Sequence, residues 1–117
     1  MSEIRLGAVE SKFADIIWNN EPLRPVELEK LAEAELNWKR TTTLTILKRL
    51  CERGIFQNKD RIITSLISRE EFYALQSEKF VNDTFEGSLP AFLAAFGSRK
   101  KLSDKEVEEL KKVIDSM

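Results

Sequence analysis

Histidine is absent from this chain of 117 residues, and cysteine occurs once, at Cys51. Without imidazole, the Ser-His-Asp and Cys-His arrangements of nucleophilic catalysis are excluded. A single cysteine forms neither an internal disulfide nor a cysteine-rich zinc or copper site. The four glycines form no phosphate-binding loop. We therefore expect a protein that is not an enzyme, that has no catalytic or metal-binding residues and that carries no cofactor.

Long hydrophobic runs are also missing, and those present are too short to cross a membrane. The opening segment, Met1–Arg5, does not have the pattern of a signal peptide. These absences predict a cytoplasmic protein without membrane insertion. The 42% of apolar residues suffices for the core of one domain, or of a small domain with an appendage.

One segment is strongly basic, although the whole chain has a formal net charge of only −1. Between Lys39 and Arg61, seven Lys and Arg residues stand against two acidic residues, Glu52 and Asp60. Such a segment binds polyanions when its cations share one face. The alternative for a lone basic run is a solvated surface.

Apolar spacing and helix breakers predict three short helices and a hairpin in the first half of the chain. Val9, Phe13 and Ile17 lie at helical spacing, and Pro25 suits the first position of a second helix. Gly54 is the natural end of a third helix, and residues 58–60 are rich in turn formers. The predicted elements are helices over 9–19, 25–36 and 40–53 and strands over 55–59 and 61–67. Together they indicate a mainly α protein whose winged helix-turn-helix has a small β-hairpin as its wing.

The second half of the sequence predicts three further helices. Ser-x-x-Glu capping boxes begin two of them, at Ser68 and Ser103, and an apolar helix over 89–96 lies between, followed by a linker over 97–101. We therefore expect a winged-helix DNA-binding domain over 1–67 and a helical dimerisation domain over 68–117. The apolar side chains exceed what three helices bury alone, so a symmetric dimer interface is favoured over a cofactor pocket. The predicted interface residues are Leu75, Phe80, Val81, Phe85, Phe92, Phe96, Leu110, Val113 and Ile114.

The third helix has the pattern of a DNA recognition helix. In projection, one arc is predicted to face the core and contains Thr43, Ile46, Leu47 and Leu50, while the opposite side contains Thr41, Leu44, Thr45, Lys48 and Glu52. Small hydroxyl side chains bond phosphates or base edges, leucine contacts thymine methyl groups, and rim cations neutralise phosphates. The alternatives are a threonine-rich surface helix and, for Arg49, a salt bridge to a glutamate of the second helix. The predicted DNA contacts are Lys39, Arg40, Thr41, Thr42, Leu44, Thr45, Lys48, Arg49, Arg53, Lys59 and Arg61.

The same helix carries a family resemblance. The order Thr41-Thr42-Thr43-Leu44-Thr45-Ile46-Leu47-Lys48-Arg49-Leu50, followed by Gly54, resembles the recognition helix of the penicillinase-repressor (BlaI/MecI) family. Leu6-x-x-x-Glu10, then Ile16-Ile17-Trp18, and the segment 102–110 also match in order and spacing. The resemblance implies a homodimeric repressor on a palindromic double-stranded DNA operator.

The resemblance also implies a release mechanism. In that family a membrane-bound sensor protease, or a signal that it starts, leads to cleavage in the C-terminal domain during a β-lactam or cell-envelope response. The matching bond here joins Ala95 to Phe96, where the family commonly has asparagine before phenylalanine. The second strand of the wing lacks the aromatic and basic residues usual in the family. The Cys-x-Cys pair of the copper-responsive relatives is also absent, which disfavours copper sensing.

Two other functions fit the pattern. The C-terminal helices could hold a small effector molecule, or the winged helix could serve protein–protein interaction alone. Gel shifts at rising salt distinguish a DNA-binding protein from a protein-interaction module. Thermal shifts with candidate effectors distinguish it from a regulator that binds a small molecule.

Overall fold

The computed structural model describes residues 6–117, so the prediction about a signal peptide at Met1–Arg5 lies outside the described residues. Within that range the chain forms six helices and one two-stranded antiparallel sheet. In chain order they are α1 (Ala8–Asn20), α2 (Pro25–Leu36), α3 (Arg40–Glu52), β1 (Phe56–Lys59), β2 (Ile62–Ser65), α4 (Arg69–Phe85), α5 (Leu89–Arg99) and α6 (Asp104–Asp115). The predicted winged helix-turn-helix followed by C-terminal helices is confirmed.

Contacts within the chain divide it into two compact units, and the boundary along the chain lies between Ser77 and Glu78. The domain boundary predicted between residues 67 and 68 lies just before α4. The first turn of α4 belongs to the first unit because Phe72 is completely buried in its core. No helix of residues 6–117 is long and apolar enough to span a membrane.

The core of the first unit combines α1, α2, α3, the hairpin and the start of α4. Trp18 packs against Phe56 and Phe72 with ring centroids 5.2 and 5.6 Å apart, and its Nε1 donates a hydrogen bond to the Ile67 carbonyl at 3.0 Å. The indole is thus satisfied at both its apolar and polar ends. The completely buried side chains of this core are Phe13, Ala14, Ile17, Leu28, Ala32, Thr43, Leu50, Phe56, Ile63 and Phe72.

The turn of the helix-turn-helix follows from three residues. Pro25 occupies the first turn of α2, where its missing N–H is not needed. Asn37 ends α2 in the left-handed region, at φ 57°, which asparagine tolerates well. Trp38 then packs on Phe13 of α1, with ring centroids 5.0 Å apart. This anchor fixes the chain at the point where α3 begins.

The wing is a tighter hairpin than the sequence predicts. Lys59 pairs with Ile62, and the two linking residues, Asp60 and Arg61, both have positive φ (54° and 63°). Two consecutive left-handed residues make the tight turn whose twist matches a β-ribbon. The linking residues are therefore 60–61 and not the predicted 58–60, and the strands are shorter than predicted. Backbone hydrogen bonds between Ile63 and Leu23 attach the hairpin to the segment before α2.

The second unit, residues 78–117, contains the end of α4 with α5 and α6. The side chain of Ser88 caps α5, and Ser103 and Glu106 form the reciprocal capping box predicted for α6. The predicted linker over 97–101 is wrong in its first half, because α5 continues to Arg99. Gly97 lies inside α5, and one glycine inside a helix lowers the stability of that helix by only about 1 kcal/mol relative to alanine. The surrounding backbone hydrogen bonds offset this loss.

Candidate nucleic-acid interface

α3 separates a core face from a solvent face. Leu47 and Leu50 are buried, while Thr41, Thr45 and Lys48 are exposed. Thr42 and Arg49 are exposed as well, and Leu44 is half-buried. Among the residues predicted to contact DNA, those of α3 therefore lie outside the core and accessible to a ligand.

Thr43, the third member of the threonine run, has a different role. It is completely buried, and its hydroxyl donates a hydrogen bond to the Lys39 carbonyl at 3.1 Å. That bond satisfies a polar group which would otherwise be costly to bury. The run of threonines thus contains two exposed residues, Thr41 and Thr42, and one buried residue, Thr43, whose hydroxyl has a structural role.

The first turn of α3 favours an anion. Lys39, in the capping position, makes no side-chain capping hydrogen bond, and the first turn contains no acidic residue. The free N–H groups and the helix dipole place partial positive charge at this end. Lys39 and Arg40 add two full charges beside it. The start of the helix and its exposed face are thus electrically suited to a phosphate backbone.

Ion pairs hold some of the predicted cations. Arg40 Nε lies 3.1 Å from Glu29 Oε1 of α2, and Arg49 Nη1 lies 3.6 Å from Glu10 Oε2 of α1. Arg53 Nη1 approaches the same Glu10 oxygen at 3.9 Å. Among residues 6–117, Lys48 forms no such pair. The glutamate facing Arg49 belongs to α1, and not to the second helix as the alternative reading of the sequence had it.

Glu10 is the residue of this surface that sequence reasoning missed. Helical projection relates residues within one helix and does not relate residues of α1 to residues of α3. The remaining predicted contacts, Lys59 and Arg61, are exposed at the tip of the wing. The structure therefore groups the predicted DNA contacts into a helical set on α3 and a pair on the wing.

Cys51 lies near the end of α3. The side chain is half-buried on α3, and burial, with a smaller contribution from the charge of Glu52, raises the pKa of its thiol. A raised pKa keeps the thiol protonated and weakly nucleophilic at neutral pH. Within the described part of the chain, no group of three or more acidic or cysteine side chains could hold a metal ion.

The second unit exposes a large apolar surface. α5 and α6 contain no buried residue, and Phe80, Phe96 and Ile114 are 46%, 44% and 51% exposed. Four phenylalanines form a connected cluster in which the contacting rings have centroids 5.6 to 6.2 Å apart. The cluster consists of Phe80, Phe85, Phe92 and Phe96. Of the other predicted dimer residues in this unit, Val113 is exposed, and Val81 and Leu110 are half-buried. Leu75 is exposed as well, near the end of the first unit.

A groove of about 360 Å³ runs between α5 and α6. Its walls are mainly apolar, with Glu106 and Glu109 at the polar margin. The groove residues are Phe92, Leu93, Phe96, Leu102, Glu106, Glu109, Leu110 and Val113. The predicted scissile bond joins Ala95 to Phe96 within α5, beside this groove, and both residues are exposed.

Comparison with known proteins agrees with this geometry. The family model described as penicillinase repressor matches residues 6–116. The methicillin resistance regulatory protein MecI of Staphylococcus aureus strain Mu50 is 25% identical over 114 residues, covering 94% of this chain and 93% of that protein. The penicillinase repressor of Bacillus licheniformis is 22% identical over 115 residues, covering 95% and 90%. The similarity therefore extends over both units.

Proposed function

Since this chain belongs to the penicillinase repressor family, a family of transcriptional repressors, we propose that it represses by binding a palindromic DNA operator as a homodimer. The observation that carries the proposal is the outer face of α3. It presents Thr41, Thr45 and Lys48 to solvent on a winged helix-turn-helix. Helices of this motif enter the major groove and read base edges with such side chains.

The contacts divide into two kinds. Thr41 and Thr45 lie in the middle of the outer face, and Leu44 and Thr42 lie at its margins. We assign sequence preference to these four residues. Lys48 and Arg49 are cations on the same surface, so they supply affinity for phosphate that is independent of the DNA sequence. Further cations of the second kind are Arg40 on α3, Lys39 and Arg53 at its two ends, and Lys59 and Arg61 on the wing.

Dimerisation follows from the apolar surface of the second unit. A soluble monomer rarely exposes contiguous apolar patches of this kind. A twofold axis would bury the same side chains from both copies and would place two α3 helices to read two half-sites. The aromatic cluster and the apolar stripe of α6 are the surfaces that we assign to this interface.

Release would follow cleavage of the Ala95–Phe96 bond, in a response to β-lactams or to cell-envelope damage started by a membrane-bound sensor protease. The bond lies in a helix, and a protease needs an extended strand, so α5 must open locally before cleavage. Because α5 buries no residue within one copy, that opening costs little in the monomer and more in the dimer.

Two measurements test the proposal. A gel shift with the chain's own upstream region, beside a random duplex of equal length, should show tighter binding to the former and a steep loss of both complexes with salt. Light scattering at micromolar concentration should give the dimer mass. Equal affinity for the two duplexes, or no binding to either, would instead favour a protein-interaction module.

One observation favours a second candidate, a repressor switched by a small molecule. The groove between α5 and α6 has the volume of a small-ligand site and a few polar groups on apolar walls. A thermal shift with candidate effectors tests this alternative. An increase in melting temperature together with weaker operator binding would support it over proteolytic release.

A further inference from the structure

Glu10 occupies an unusual position between α1 and α3. Its side chain is only 22% exposed, and its Oε2 atom is buried without a hydrogen-bond partner among the described residues. The nearest cationic groups in the ion pairs of the structure are Arg49 and Arg53, at 3.6 and 3.9 Å from that one oxygen. One carboxylate therefore faces two guanidinium groups of the recognition helix.

The two arginines that face Glu10 differ in exposure. Arg53 is as sheltered as Glu10, at 22% side-chain exposure, whereas the Arg49 side chain is 50% exposed. Arg49 is thus the cation that is free to turn toward a second anion, while its distance of 3.6 Å from Glu10 exceeds that of a hydrogen bond.

We propose that Glu10 is an internal competitor of DNA phosphate for Arg49, and so sets how strongly the repressor binds any duplex. In free protein the carboxylate of Glu10 partly neutralises Arg49. On DNA the guanidinium exchanges that partner for a phosphate, and the exchange lowers the net gain in affinity. The inference rests on the proposed DNA binding and adds to it a residue that makes no contact with DNA.

The proposal predicts that neutralising Glu10 strengthens DNA binding. The Glu10→Gln variant should bind operator and random duplex more tightly by the same factor, about two- to fivefold, which is the range of a half-exposed ion pair. The plot of log affinity against log salt concentration should become steeper by up to about one unit of slope. Without Glu10 as a partner, Arg49 neutralises a phosphate fully, and that phosphate releases its condensed counterion. The ratio of operator to random affinity should stay unchanged, since phosphate contacts carry no sequence information.

A matched control and a second variant separate this role from simpler ones. Glu35→Gln removes the same charge from an exposed site on α2 that forms no ion pair among the described residues, and it should leave the slope unaltered. In Arg49→Ala protein, adding Glu10→Gln should give no gain. If Glu10→Gln does not fold, Glu10→Asp withdraws the carboxylate by one methylene and should give a smaller gain in the same direction.

Three results would overturn the inference. Weaker operator binding by Glu10→Gln would show that Glu10 positions α3 instead of competing for Arg49. A gain equal to that of Glu35→Gln would show a general charge effect, and a gain that survives Arg49→Ala would assign the effect to another cation. If the unaltered protein showed no salt-dependent binding to either duplex, the proposed function itself would fail.

Discussion

Replacing Ile114 by alanine should weaken the dimer without unfolding either unit. Ile114 lies on α6 and is 51% exposed in one copy. Burying a whole isoleucine side chain is worth about 1.5–3 kcal/mol, and alanine keeps only the first carbon of the side chain. The exposed half that alanine lacks therefore represents about 1 kcal/mol. A twofold interface contains the residue twice, so the dimer loses about 2 kcal/mol, which corresponds to an about thirtyfold larger Kd.

Sedimentation equilibrium over a range of concentrations measures that Kd, and circular dichroism checks that the helices persist. Glu108→Ala is the matched control, because Glu108 is exposed and lies on the opposite side of α6 from the apolar stripe. It should leave the dimer Kd within about threefold of the original. If Ile114→Ala dimerised as tightly as Glu108→Ala, the apolar stripe of α6 would not be the interface and the reasoning from exposed surface would be wrong.

Three further changes test the recognition helix and the core. Arg49→Ala should weaken binding to operator and random duplex alike and reduce the salt slope by up to about one, as measured by fluorescence anisotropy between 50 and 200 mM salt. Thr45→Ala should weaken operator binding more than random binding in the same assay, and an equal loss would remove Thr45 from the residues that set sequence preference. Phe72→Ala should lower the free energy of unfolding by about 3–5 kcal/mol in urea titration, because the ring is completely buried against Trp18.

Local signals in the sequence predicted several helix boundaries. Pro25, Gly54 and Ser103 each act on the backbone within a few residues, so the starts of α2 and α6 and the end of α3 were predictable. The periodicity of α3 likewise predicted the burial of Thr43, Leu47 and Leu50, whereas Ile46, predicted on the same side, is only half-buried. Its solvent face is predictable for the same reason, because burial on a regular helix depends on angle alone.

The errors arose where tertiary contacts decide. Val9 continues the apolar stripe of α1 in sequence, yet the structure leaves it 52% exposed. The turn of the wing lies at Asp60 and Arg61 because Lys59 pairs with Ile62. The second strand also pairs with a distant segment, through Ile63 and Leu23, forty residues away in sequence. Glu10 was missed for the same reason, because its partners lie on a helix remote in sequence.

Cleavage at the Ala95–Phe96 bond can be reproduced by a chain that ends at Ala95. Such a protein keeps the complete first unit, residues 6–77, whose core contains no residue of α5 or α6. It loses the end of α5 and all of α6, and with them Phe96, Leu110, Val113 and Ile114. We therefore expect the first unit to stay folded while dimerisation is lost.

The consequence for DNA follows from effective concentration. In a dimer, binding of one half-site holds the second α3 near its own half-site, so the second contact forms without a further encounter. The chain ending at Ala95 lacks that advantage and should bind operator at least about a hundredfold more weakly, the lower end of what linking two binding modules contributes. Its affinity for a single half-site should match that of one half of the intact repressor, because no atom of the recognition helix has changed.

Anisotropy titrations on full operator and on a half-site, with light scattering on the same samples, measure both quantities. A shorter chain ending at Ser77 serves as the reference for an isolated DNA-binding unit. A truncated protein that still dimerised and bound full operator as tightly as the intact chain would show that cleavage at this bond cannot release DNA. The groove between α5 and α6 would then become the better place to look for the switch, since an effector bound there could alter the dimer without any break in the chain.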